Sequence, residues 1–135
     1  MALRIATLLT LVLTFFIQLA EGVTRGFAHS FPPDNTLSTC GKLTTYMMKG
    51  AYVSSEVWDR YSLSCDDAAR YINATTTNPP YTSVYTPIVG VCDDFDKRCR
   101  SDTILLTTAT WQFYDPRDVY DFFMVDWSID RFEFL

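Results

Sequence analysis

The sequence predicts a mainly β fold of the β-rich α+β class, a small antiparallel barrel or sandwich with one short helix and two disulfides. Three observations lead to this prediction. The chain has 135 residues, enough for one small domain. Its runs of β-branched and aromatic residues are separated by Pro, Gly and Asn, as strands are by turns. Its four cysteines form an even set that can pair completely.

The amino-terminal residues 1–22 are predicted to be a signal peptide. Residues 5–17 are almost wholly apolar, and Ala20 and Gly22 are small residues at positions −3 and −1 of a cleavage point before Val23. The apolar stretch is shorter than the ~20 residues that a membrane span needs, so no membrane span is expected. The mature protein is therefore predicted to be secreted and extracellular.

An oxidising compartment favours disulfides between the cysteines, and the sequence leaves three pairings open. The tripeptide Asn73-Ala74-Thr75 is an N-glycosylation acceptor, which predicts a glycoprotein modified at Asn73. The predicted disulfide residues are Cys40, Cys65, Cys92 and Cys99.

Residues 23–38 contain two prolines and show no periodicity, so they are predicted to form an extended N-terminal arm. Residues 39–135 then form a single β-rich domain. Strands are predicted over residues 43–52 and 81–91, the second at a sheet edge because it contains Pro87.

Apolar residues recur at helical spacing across residues 55–72. Either one helix crosses this region or a short helix begins at Ser64, where acidic residues follow an N-cap residue; the second interpretation is preferred. Residues 73–80 are predicted to be a loop. A hairpin is predicted over residues 103–127, turning at Asp-Pro-Arg-Asp, and residues 128–135 add a last short strand.

The densest charged segment, residues 92–99, could be a calcium loop or a solvated turn fastened by a disulfide. The turn is favoured because the segment lacks the glycine and closing glutamate that a calcium loop needs. His29 is the one histidine, no Cys-x-x-Cys occurs and no nucleophile-elbow motif is present. No metal, no cofactor and no enzymatic activity are therefore expected. The net charge of −5 also argues against a nucleic-acid partner.

Aromatic residues interleave with acids from residue 110 to residue 135. An aromatic wall with a carboxylate at its rim suits a cationic small molecule, and the competing interpretation is an ordinary β core whose acids face water. Alternation on the predicted hairpin puts Trp111 and Phe113 on one face, and Phe123, Val125 and Trp127 on one face of the returning strand. The predicted ligand-binding residues are Trp111, Phe113, Phe123, Asp126 and Trp127, with Asp126 or Asp121 as the counter-charge.

Residues 43–65 (LTTYMMKGAYVSSEVWDRYSLSC) resemble the early strand of tick salivary lipocalins, in which a tyrosine-rich strand is followed by a cysteine. The segment FYDPRDVYDFFMVDWS resembles paired strands deeper in that barrel. The resemblance implies a secreted, disulfide-bonded, eight-stranded barrel with an external helix. It also implies sequestration of a small amine such as histamine or serotonin, or of a lipid mediator, which suppresses host defence.

The alternative is an immunoglobulin-like secreted module that binds a host protein. Cys40, Trp58 and then Cys92 or Cys99 follow the order that such sandwiches use. A bridge from Cys40 to Cys92 or Cys99 would favour the sandwich, whereas Cys65 bridged far downstream would favour the barrel.

Overall fold

The computed structural model of the chain describes residues 22–31, 40, 48–65 and 70–131. These residues form a closed barrel in the strand order β1-β5-β2-β4-β3-β6. The strands are β1 (Thr24–Ser30), β2 (Ala51–Val53), β3 (Arg70–Thr76), β4 (Ser83–Val91), β5 (Thr103–Leu106) and β6 (Phe122–Arg131), and the helices are α1 (Ser55–Arg60) and α2 (Thr108–Trp111).

The predicted mainly β class with two disulfides is confirmed, and the described residues contain two short helices where one was expected. The predicted signal peptide, residues 1–22, lies outside the described residues except for Gly22. Within the described ranges, no helix has the length and apolar character needed to cross a membrane.

The barrel is mixed and not purely antiparallel. β1 runs parallel to β5 and β2 runs parallel to β4, whereas the other neighbouring pairs are antiparallel. Pro87 does not lie on a free edge: β4 pairs with β3 up to Pro87 and with β2 from Ile88 onward. The proline thus lies where the strand changes partner, a position that tolerates the missing backbone N–H.

Residues 24–30 are extended as predicted, but they form a strand of the barrel wall, paired between β5 and β6. They are therefore part of the domain and not an arm outside it. Gly26 explains this placement, because a side chain there would overlap the backbone carbonyl of Asp102. The N–H of Phe27 donates to the same carbonyl at 3.3 Å. A glycine in a strand often marks such a close backbone approach.

The predicted hairpin over residues 103–127 is wrong. β5 and β6 do not pair with each other, since each pairs with β1 on opposite sides. Strand-type residues after Leu106 form α2, whose first turn closes through the Trp111 N–H and the Thr107 carbonyl at 2.8 Å. Burial of Trp111 and Thr110 outweighs their local β preference.

Two further local predictions change. A helix begins at Ser55, ahead of the preferred start at Ser64; Ser54 caps it, since its hydroxyl accepts from the Val57 N–H at 3.2 Å. Residues 66–69, where the preferred helix would continue, lie outside the described residues. The predicted loop over residues 73–80 begins later, because β3 continues to Thr76.

Side chains fill the interior of the barrel. A barrel of about eight strands is just wide enough to be filled by side chains or to hold one small ligand, and fewer strands leave less room. The main core cluster is formed by apolar residues from every strand and from both helices, with Trp111 and Trp127 the largest fully buried members. The described part therefore has a packed interior and six strands, where the lipocalin resemblance implied eight.

The disulfides join Cys40 to Cys65 and Cys92 to Cys99. Neither is one of the pairings that were expected to distinguish a sandwich from a barrel. The closed barrel with its parallel pairs excludes the immunoglobulin-like sandwich, and Trp58 lies on α1 and not on a strand.

Candidate functional site

The two predicted tryptophans belong to the core. Trp111 and Trp127 are each 1% exposed. The indole N–H of Trp127 donates to the Asp102 carbonyl at 3.1 Å. They therefore hold the barrel together and do not form a wall that a ligand can reach.

Phe113 and Asp126 lie apart from them. The predicted alternation put Phe113 on the same face as Trp111, but the turn after α2 leaves Phe113 exposed, with the Lys49 ammonium 4.8 Å from its ring centroid. Asp126 accepts from both Nε and Nη2 of Arg25, at 2.9 and 3.0 Å. That guanidinium lowers the pKa of the Asp126 carboxyl. It also neutralises the carboxylate that was predicted to be the counter-charge.

Phe123 faces an open groove of about 830 Å³. Its ring lies 5.1 Å from Tyr120, 5.6 Å from Tyr114 and 5.2 Å from Trp111, between ring centroids. Phe123 thus joins the groove to the core. The groove runs between a proline-containing loop and the segment that enters β6, and it is lined by Thr76, Thr77, Asn78, Pro79, Pro80, Thr82, Tyr114, Val119, Tyr120, Asp121, Phe122, Phe123 and Met124.

One wall of the groove, the loop of residues 77–82, is closed by hydrogen bonds. The Thr76 N–H donates to the Thr82 carbonyl at 3.0 Å, and the Thr82 N–H donates back to the Thr76 hydroxyl at 2.8 Å. The Thr77 N–H donates to the Met124 carbonyl at 3.0 Å, which ties the loop to the opposite wall. The loop is therefore held in place before any ligand arrives.

The other wall, residues 119–124, is positioned by Asp115. Its backbone carbonyl accepts from the Asp118 N–H at 3.1 Å, which forms the predicted Asp-Pro-Arg-Asp turn. Its side chain, in a residue only 2% exposed, accepts from the Tyr120 N–H at 2.8 Å. Tyr114 also helps to fix this region, because its hydroxyl donates to the Ala74 carbonyl at 2.6 Å. Burial raises the pKa of the Tyr114 hydroxyl, so this group remains a donor.

The apolar side chains of this wall are exposed. Val119, Tyr120, Phe122 and Met124 range from 43% to 71% exposed. Asp121 is the carboxylate among the groove residues, and it is also exposed. The groove therefore combines apolar and aromatic contact area with one negative charge.

His29 lies behind this wall. Its ring centroid is 6.0 Å from that of Phe122. Burial, and then the nearby Arg98 guanidinium, lower the pKa of His29. The imidazole is therefore biased toward its neutral form and supports the wall through its ring contact with Phe122.

Within the described ranges, no group of three or more His, Cys, Asp or Glu side chains is placed to hold a metal ion. The acids of the 93–96 turn already have partners: Asp93 accepts from the Phe95 N–H at 3.0 Å and Asp96 pairs with Arg98 at 2.7 Å. Asp94 accepts from the Ser55 hydroxyl at 3.0 Å, which ties the turn to α1. The Cys92–Cys99 disulfide closes this turn, as the favoured interpretation expected.

Residues 110–135, which the aromatic and acidic pattern singled out, include one wall of the groove but not the loop opposite it. Phe122 and Met124 alternate along β6 with Phe123, which packs against the core, and with buried Val125, so their outward direction follows from strand period once β6 is known. The proline-containing loop carried only a turn signal. Its place opposite residues 119–124 follows from the pairing of β3 with β6, which no local pattern showed.

Comparisons with known proteins indicate the fold. No family model matches the chain, and no curated protein matches its sequence. The chain is similar to the Streptomyces papain inhibitor, with a TM-score of 0.62 and 13% identity over 81% of this chain and 94% of that one. It is also similar to a variant of the Clavibacter michiganensis expansin solved with cellohexaose, with a TM-score of 0.58 and 12% identity over 84% of this chain. The match spans 52% of the expansin's length. At these identities the likeness establishes a shared barrel fold.

Proposed function

We propose that the chain is a secreted, non-enzymatic binding protein whose groove receives an apolar segment of a partner protein. The observation that carries the proposal is the set of four exposed apolar side chains on one wall, Val119, Tyr120, Phe122 and Met124. Contiguous exposed apolar surface marks interaction sites, and aromatic residues and methionine are enriched in their centres. The hydrogen-bonded walls lower the cost of ordering the surface on binding.

The charge of the groove specifies the partner segment further. Asp121 is exposed at the groove, and the whole chain carries a formal net charge of −5. A lysine or arginine of the partner would meet the Asp121 carboxylate while its apolar neighbours contact Tyr120 and Phe122. Ring faces add to the attraction for a cation.

A papain-type cysteine protease is the first partner to test. The support is the shared fold with a protein named a papain inhibitor, over 94% of that protein's length. Inhibition of a host protease would suppress host defence, which is the outcome that the lipocalin resemblance implies.

The test is inhibition of papain by the full secreted chain. We expect saturable inhibition, and we expect Tyr120→Ala and Phe122→Ala each to raise the inhibition constant about 10- to 30-fold, as loss of an aromatic anchor does. Phe95→Ala is the matched control, because Phe95 is 96% exposed on the separate 93–96 turn. Absence of inhibition would contradict the proposed partner. An equal loss in the Phe95 variant would contradict the groove as the surface that binds it.

A second candidate ligand is a small amine, which retains the sequestration function of the lipocalin type but moves it from the barrel interior to the groove. The observation that favours it is Asp121 beside the ring cluster of Tyr114, Tyr120 and Phe123. Calorimetric titration with histamine, serotonin and a panel of fatty acids tests it. Heat from an amine that Asp121→Asn abolishes would support this candidate, and heat unchanged in that variant would refute it.

A further inference from the structure

The outer face of β3 and β4 carries a feature separate from the groove: a glycosylation acceptor beside two stacked tyrosines. Along β3, Ile72 and Ala74 are buried, whereas Asn73 is exposed. The side chain of Asn73 therefore projects from the outside of the barrel. Its sequon with Thr75 satisfies the requirement for N-linked glycosylation.

The strand register places Asn73 directly opposite Tyr85 on β4 and opposite Ser128 on β6. Side chains paired in this way have Cβ atoms about 5 Å apart. The Tyr85 ring is stacked on that of Tyr71 with 4.9 Å between centroids and an interplanar angle of 2°. Tyr85 nevertheless remains 46% exposed. An aromatic surface thus lies beside the acceptor nitrogen, and the small Ser128 lies on its other side.

We propose that, in a eukaryotic secretory pathway, Asn73 carries an N-linked glycan whose first N-acetylglucosamine packs on the ring of Tyr85. A pyranose ring presents a face of C–H groups and keeps its hydroxyls at the edge. That face suits an exposed tyrosine, whose ring is apolar and whose hydroxyl stays in water. The Tyr71–Tyr85 stack holds the ring in place for the sugar.

The covalent step uses a lipid-diphosphate-linked oligosaccharide as the donor. The bond between Nδ2 of Asn73 and the anomeric carbon forms as the bond from that carbon to the diphosphate oxygen breaks. Nδ2 loses one proton, and the lipid diphosphate leaves with the electron pair. The glycan then covers the tyrosine pair and leaves the groove open. This inference does not rest on the groove function and shares with it only the predicted export.

The test uses the full chain secreted from eukaryotic cells that make only high-mannose glycans. We expect mass spectrometry of the peptide containing Asn73 to show a glycan, which an amidase removes with conversion of Asn73 to aspartate. We expect trimming to a single N-acetylglucosamine to leave a midpoint of thermal unfolding about 2–5 °C above that of Asn73→Gln, a modest fraction of a small domain's stability. In the Tyr85→Ala background, we expect the single-sugar chain and its Asn73→Gln counterpart to unfold at the same midpoint. In the Phe95→Ala background, we expect the difference between those two proteins to remain.

A second readout does not depend on any variant. In the single-sugar protein, the acetyl methyl protons of the N-acetylglucosamine should show a ring-current shift in NMR spectra. An unmodified Asn73, an unshifted methyl signal, or an equal midpoint difference with and without Tyr85 would each overturn the inference. Saturable binding of free chitotriose to the unglycosylated chain, lost in Tyr85→Ala, would assign this face to a separate sugar ligand and would also overturn it.

Discussion

Replacement of Asp115 by alanine should weaken both the fold and the groove. The side chain of Asp115 is almost fully buried and accepts the Tyr120 N–H at 2.8 Å. A hydrogen bond to a charged acceptor contributes about 1.5–3 kcal/mol. Because this hydrogen bond is only partly buried, the Tyr120 N–H should regain water in the variant, so the lower half of that range applies. We expect a loss of about 1.5–2 kcal/mol.

For a domain of this size that loss corresponds to a fall in the unfolding midpoint of about 6–10 °C. The assay is thermal unfolding followed by circular dichroism, paired with the papain inhibition constant. Asp115→Asn keeps an oxygen acceptor without the charge and should lose about half as much. Asp59→Ala removes the same charge from an exposed site on α1 and should change stability by at most about 0.5 kcal/mol. Unchanged stability in Asp115→Ala would refute the role assigned to this carboxylate.

Three further predictions concern the frame of the barrel. Gly26→Ala should prevent stable folding or lower the unfolding midpoint by more than about 10 °C, because its Cβ would overlap the Asp102 carbonyl; a midpoint near that of the wild type would contradict the close approach. Replacing Cys92 and Cys99 together by serine should cost about 2–3 kcal/mol for a loop this short, measured by urea unfolding, and a loss below about 0.5 kcal/mol would contradict it. His29 has a lowered pKa, so the unfolded chain binds more protons than the folded one below about pH 6.5. Stability should therefore be full above that pH and fall as the pH drops toward the folded pKa, and His29→Gln should flatten this dependence in thermal scans.

The fold class followed from local patterns, because strand-type runs and paired cysteines are local signals. The turn at Asp115 was also predictable, since proline and aspartate have defined roles in type I turns. The strand order was not predictable, because β5 and β6 follow each other along the chain but do not pair. Each of them pairs with β1, which is distant in sequence. Gly26 was the available signal for that placement: the glycine marks a close approach inside the barrel and not an unstructured arm.

The candidate groove combines a segment that local pattern singled out with a loop that it did not. The aromatic and acidic interleaving located the segment that forms one wall of the groove. Period-two alternation could not be carried from residue 111 to residue 127, because α2 and the following turn interrupt the strand. Trp111 therefore points into the core while Phe113 is exposed. Of the two carboxylates predicted as the counter-charge, Asp126 pairs with Arg25, whereas Asp121 lies at the groove.

Amide hydrogen exchange of the chain with and without papain tests most directly whether the outside groove, and not the packed interior, is the binding surface. We expect added protection at residues 77–82 and 119–124 and unchanged exchange in the 93–96 turn. Protection confined to that turn or to the outer face around Tyr85, or no protection at the groove, would contradict it.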